Sequence, residues 1–178
     1  MNSEFRIEPL DLHWIAEGEP KHDLCVHGGI RITYGDHVLL EDATAFTLSA
    51  AAVCLLRTIW REHSPKSRVC HMLIPHCGHE YIFGYRAMLQ LGGCPYGMEF
   101  WVGHEGDDVL LTFLRPQPPR EARLQAITWR AAVSTFSKAV MSFLEGSEKR
   151  PFDEYEGQKF RRFMTYWRRL HRAAEYGG

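Results

Sequence analysis

The stretch Met98-Glu99-Phe100-Trp101-Val102-Gly103-His104-Glu105-Gly106-Asp107-Asp108-Val109-Leu110-Leu111-Thr112-Phe113-Leu114 decides the fold class. Met98, Phe100 and Val102 recur at every second position, and Val109, Leu111 and Phe113 do the same. A strand turns successive side chains to opposite faces, so each trio shares one face. Residues 103–107, rich in glycine and acid, predict the connecting turn of an antiparallel hairpin. The apolar face needs a cover, because each large side chain left in water forfeits about 1.5–3 kcal/mol. A helix is expected against it.

Working outward, three segments carry helical spacing. In 47–62 the stripe is Leu48, Ala52, Leu55, Leu56 and Ile59, with Thr47 as N-cap. In 129–144 it is Ala132, Val133, Phe136, Ala139, Val140 and Phe143, with Gly146 as the stop. From Asp153 or Glu154 onward, Phe160, Phe163, Met164, Trp167, Leu170 and Ala174 share one side, and Arg161, Arg162, Arg168, Arg169 and Arg172 the other. Strands are predicted at 5–7, limited by Pro9, at 24–33 with a bend at Gly28-Gly29, and at 38–40 after a turn at 34–37. Further strands are predicted at 68–74, 80–85 and 124–128, while 87–91 fits a strand or a short helix. The fold class is α+β: a mostly antiparallel sheet packed against two helices, with a C-terminal amphipathic basic helix, in a single domain over 1–178.

The chain has 178 residues, 21 basic against 22 acidic, for a net charge of -1. That balance argues against bulk attraction to nucleic acid or anionic membrane. Charge is uneven: residues 1–63 hold five basic and ten acidic side chains. No apolar signal core follows Met1, and the apolar stretch at 43–60 falls short of the roughly 20 residues that span a bilayer. A soluble, cytoplasmic protein is expected. The cysteines (Cys25, Cys54, Cys70, Cys77 and Cys94) are odd in number and widely spaced, which predicts reduced thiols, with Cys54 in the core.

The densest polar run is Cys70-His71-Met72-Leu73-Ile74-Pro75-His76-Cys77-Gly78-His79-Glu80, followed by Cys94 and His104. Thiolate and imidazole suit borderline metals, so Cys70, Cys77, His79 and Cys94 are candidate ligands, with zinc as the ion to test. Their spacing departs from the usual Cys-x2–4-Cys knuckle, which favours ordinary loop packing, and no cofactor is expected. Cys77 and His79 also form a candidate thiol–imidazole pair, oriented by Glu80 or Glu105. Glu99, Glu105, Asp107 and Asp108 form a candidate acidic patch, and Arg161, Arg168, Arg169 and Arg172 a candidate basic one. Both are candidate protein-binding surfaces, with a solvated helix face as the plainer reading of the second. No His-Glu-x-x-His or complete Walker motif is present, so no enzyme class is indicated.

Leu40-Glu41-Asp42-Ala43-Thr44, the 48–63 helix, Pro75-His76-Cys77-Gly78-His79, Gly93-Cys94-Pro95-Tyr96-Gly97-Met98-Glu99 and Trp101-Val102-Gly103-His104-Glu105-Gly106 lie in one order along 38–114. In that order the chain resembles small bacterial proteins of toxin–immunity neighbourhoods. The resemblance implies a non-catalytic protein that binds and neutralises a toxin domain through charge and shape complementarity. The alternative is a zinc-binding enzyme or metal-stabilised protein using the Cys70–Cys94 region.

Overall fold

The computed structural model describes residues 4–15, 20–76, 80–83, 89–92, 96–115 and 118–177. Its first sheet is a meander of β1 (Phe5–His13), β2 (His27–Tyr34) and β3 (His37–Thr47), antiparallel in that order. β1 runs through Pro9, where sequence reading stopped it. As an edge strand it tolerates a proline, whose missing N–H is not needed on the open side. The Gly28-Gly29 bend is present as a register shift between Gly28 and Ile30. Glycine is required there by close approach, because a β-carbon at Gly29 would lie 2.6 Å from the Asp42 carbonyl oxygen and one at Gly28 2.5 Å from that of Leu10.

β3 leads directly into α1 (Leu48–Arg57), whose first amide, Leu48 N, donates to Val26 O at 2.7 Å. Thr47 stands at the N-cap but makes no side-chain cap bond. α1 ends at Arg57 instead of Glu62. The stop is tertiary: Thr58 Oγ1 donates back to Leu55 O at 2.6 Å, and His104 Nε2 donates to Thr58 O at 2.8 Å. Beyond it, His63 exchanges backbone hydrogen bonds with Val102.

The strand expected at 68–74 is mostly irregular. Side chains take its amides, with Val69 N donating to His63 Nδ1 and Leu73 N to Glu99 Oε1, so no ladder forms there. Only β4 (Ile74–Pro75) remains, paired with β7 (Gly97–Met98). Between them, β5 (Glu80–Phe83) pairs with β6 (Leu89–Gly92), so 89–91 of the ambiguous segment is strand, while 84–88 lie outside the described residues.

The hairpin is β8 (Phe100–Glu105) and β9 (Asp108–Phe113), with β10 (Arg120–Gln125) completing a sheet in the order β10-β9-β8. The turn is tighter than expected. Gly103 and Glu105 remain in the ladder, and Gly106, at φ 62°, turns the chain with Asp107. Phe100, Val102, Val109, Leu111 and Phe113 are fully buried on one face, as the alternation requires. Leu124 belongs to β10, so the next helix, α2 (Ala126–Glu145), starts three residues before the expected Trp129. α3 (Glu154–Tyr176) opens on Asp153, whose carboxylate accepts from Glu156 N at 2.7 Å, and ends on Gly177 in the left-handed region at φ 68°.

The architecture is α+β, with antiparallel sheets packed against helices and a distinct C-terminal helix. α1 and α2 pack together, α2 covers β1, and α3 lies against both helices. The buried apolar residues from Phe5 to Ala174, Leu24 and Ala50 apart, form one contiguous cluster. Among the described residues, no helix is long and apolar enough to cross a membrane.

Candidate metal centre

Asp23, Cys25 and His27 occupy alternate positions where the chain enters β2. Leu24 and Val26 are buried between them, and the backbone bends at Cys25 before the ladder of β2 begins at His27, which is buried as well. Two anchors fix this backbone. Val26 O accepts from Leu48 N, and Val26 N donates to Ser49 Oγ at 3.3 Å. Asp23 ties the end of β1 to the same place, accepting from Ile15 N at 2.8 Å and from Cys25 N at 3.0 Å.

Metal-ligating atoms of the three side chains lie within 4.8 Å of one another. His27 is 4% exposed, and its Nε2 has no hydrogen-bond partner although it lies 3.4 Å from Asp23 Oδ2. The two atoms are close enough to attract but not aligned as a hydrogen bond. Tetrahedral zinc with bonds of about 2.0–2.3 Å places its ligand atoms roughly 3.3–3.8 Å apart. The His27–Asp23 separation already fits such an edge. Cys25 is half-buried and not disulfide-bonded. Its soft sulfur, a borderline imidazole and a hard carboxylate together make a zinc-class donor set.

Burial pushes the Asp23 carboxyl up, but the His27 contact and the Ile15 and Cys25 amides outweigh it, so its pKa falls below the usual aspartate value. Lys149 adds a positive charge from the segment joining α2 to α3. Its Nζ lies 2.9 Å from the Trp14 ring centroid. Burial lowers the Lys149 pKa, while the charges of Asp23 and Cys25 act in the opposite sense. The segment is held by Arg150 N donating to Lys21 O at 2.8 Å and by His22 stacked on Phe152 at 4.2 Å.

A pH prediction arises here. A carboxylate whose folded pKa lies below its unfolded value stabilises the fold above that unfolded value, about 3.9. The contribution is lost as pH falls through the lower, folded value. Urea midpoints measured down an acid series should therefore fall less steeply for Asp23→Asn than for the parent, and parallel curves would show that Asp23 does not contribute.

Of the four ligands expected from sequence, only Cys70 is among the described residues. Cys70 is bonded to Cys54, with 5.9 Å between their α-carbons, so it offers no thiolate. This corrects the expectation of wholly reduced cysteines, while Cys54 is a core residue as read. Cys77, His79 and Cys94 lie outside the described residues. The charged candidates are largely engaged within the chain. Glu105 and Asp108 both pair with Arg123, Arg161 pairs with Glu154, and Arg168 pairs with Glu145. Arg169 lies over Tyr166, and Asp107 lends its carbonyl to Ala126 N. Glu99 holds His63 and Arg68, while Arg172 is exposed on α3. The signal for this trio in the sequence is its Asp-x-Cys-x-His alternation, which lies outside the cysteine- and histidine-rich run at 70–80.

No family model, curated protein or solved structure matches this chain.

Proposed function

We propose that this chain is a metal-binding protein in which Asp23, Cys25 and His27 supply three ligands to one zinc-class ion. The observation that carries the reading is the buried Nε2 of His27, which lies 3.4 Å from the Asp23 carboxylate without forming a hydrogen bond and sits beside a thiol. A buried polar nitrogen without a partner is costly, and a metal would satisfy it. Charge supports the same reading, because carboxylate, thiolate and neutral imidazole balance a divalent cation. Three protein ligands leave the fourth tetrahedral position for solvent or another donor. The sequence run from Cys70 to Cys94 offers the other candidate ligands; the loss of Cys70 to a disulfide moves the proposal to the start of β2. Neutralisation of a toxin domain draws instead on surface charges that mostly pair internally, and it has the weaker support.

The test is titration of the metal-free full chain with zinc against a chromophoric chelator, alongside cobalt(II) for a thiolate charge-transfer band. One equivalent should bind, with proton release from the thiol, and affinity should fall as pH is lowered. Cys25→Ser and His27→Ala should each reduce affinity by more than about 100-fold, beyond the loss typical of an outer-shell partner. Cys94→Ser should leave it unchanged. Stoichiometric binding that survives Cys25→Ser and His27→Ala would place the ion elsewhere, and absence of binding would remove the proposal.

A further inference from the structure

The Cys54–Cys70 disulfide borders a cleft of about 460 Å³, within the size range of small-molecule sites. Arg57, Trp60, Arg61, Arg68, Cys70 and Tyr166 form much of its wall. The two sulfurs are not equivalent. Cys54 is fully buried in α1, whereas Cys70 is partly exposed and lines the cleft, so a reagent entering the cleft meets Cys70. Arg57 stands one helical turn from Cys54. Its guanidinium is held by the Tyr166 hydroxyl at 3.1 Å and the Val69 carbonyl at 3.0 Å, with Nη1 3.3 Å from Cys70 Sγ. Arg61 is exposed at the rim, and Arg68 reaches Glu99 at 3.3 Å. Among the described lining residues there are three guanidinium groups and no carboxylate.

We infer that this cleft is a thiol–disulfide exchange site for a small anionic thiol. Rim arginines raise the local concentration of an anion, and a fixed guanidinium beside sulfur favours thiolate over thiol. Trp60, Tyr166, Val69 and Leu170 supply apolar walls for the body of the molecule. In the first step the incoming thiol loses its proton to solvent, and its sulfur attacks Cys70 Sγ. The Cys54–Cys70 bond breaks and its electron pair leaves on Cys54, which takes up a proton. The product is a mixed disulfide on Cys70 and a free thiol at Cys54. A second small thiol attacks the small-molecule sulfur of that adduct, giving the small disulfide and a Cys70 thiol. Two small thiols are thus oxidised for each protein disulfide reduced. This inference stands apart from the metal centre, which uses a different cysteine.

The experiment exposes the oxidised full chain to glutathione, 2-mercaptoethanol or cysteamine at matched thiolate concentration. Samples are quenched by alkylation and mapped by peptide mass spectrometry. Corrected for their intrinsic rates on a free model disulfide, anionic glutathione should react about 10-fold or more faster than cationic cysteamine, with the neutral thiol between them. The adduct should sit on Cys70, and added salt should shrink the preference. Arg61→Gln, an exposed change whose folding is checked by circular dichroism, should shrink it too, and Arg61→Gln with Arg68→Gln further. An adduct on Cys54, equal corrected rates, a preference unmoved by Arg61→Gln, or two thiols that fail to oxidise would each overturn the inference.

Discussion

Trp129→Ala is expected to destabilise the protein by about 3–5 kcal/mol, the range for deleting a buried indole. Trp129 is 1% exposed and stands where the two three-stranded sheets meet the helices. Its ring lies 5.9 Å from Phe5 of β1 and 6.4 Å, edge-on, from Phe100 of β8. Its Nε1 donates to Thr58 Oγ1 at 3.2 Å, and that hydroxyl donates onward to Leu55 O, so the indole also supports the end of α1. Trp129→Phe keeps most of the packing and loses the indole hydrogen bond, so its cost should be about 1–2 kcal/mol. Urea unfolding checks both variants. The midpoint should fall with little change in slope, because the surface exposed on unfolding is nearly the same. Fluorescence and far-ultraviolet dichroism should report one shared transition. Separate transitions for the two sheets would show that Trp129 does not join them.

The hairpin was legible because its pattern is local. Burial alternates along β8 and β9 as Phe100, Val102, Val109, Leu111 and Phe113 require, and no distant residue is needed to predict it. α3 was legible for the same reason, its stripe and Asp153 cap being contained within the segment. The end of α1 was not. Leu55, Leu56 and Ile59 keep helical spacing past the point where the helix stops, and the stop comes from Thr58 and from His104, 46 residues away. Residues 68–74 failed likewise, because His63 and Glu99 take the amides a strand would have offered to a neighbour.

The candidate centre shows a different limit. Sequence reading favoured the run at 70–80 because it is rich in cysteine and histidine, but richness along the chain does not set which side chains meet. There Cys70 is spent on Cys54. Asp23, Cys25 and His27 are sparser, yet they alternate with buried Leu24 and Val26, and the bend at Cys25, with its amide on the Asp23 carboxylate, gathers their ligand atoms. That alternation was available. The unpartnered His27 nitrogen and the approach of Lys149 were not, since both depend on how β1, β2 and the link from α2 to α3 come together.

Glu99→Ala should cost about 2–6 kcal/mol, as expected when two buried donors lose their shared acceptor at about 1–3 kcal/mol each. Glu99 Oε1 accepts from His63 Nε2 at 2.8 Å and from Leu73 N at 3.2 Å, and Oε2 accepts from Arg68 at 3.3 Å. His63 is fully buried, and its Nδ1 accepts from Val69 N at 3.1 Å. That bond occupies the Nδ1 lone pair, so the ring proton sits on Nε2 and points at Glu99. Without the carboxylate, the His63 and Leu73 donors lose their acceptor, each at about 1–3 kcal/mol. The half-exposed Arg68 contact adds little, and Arg68→Ala should cost under about 1 kcal/mol. Glu99→Gln retains a carbonyl for one of the two donors and should fall between parent and Glu99→Ala. Chemical denaturation of the three variants measures this order, and a cost below about 0.5 kcal/mol for Glu99→Ala would mean the carboxylate is no anchor, being then comparable with an ordinary surface change. The order also bears on Glu99 as a partner-binding residue. A carboxylate spent on His63, Leu73 and Arg68 contributes to an interface chiefly by fixing the 63–73 segment, so any loss of partner capture in Glu99→Ala must exceed what its lost stability explains.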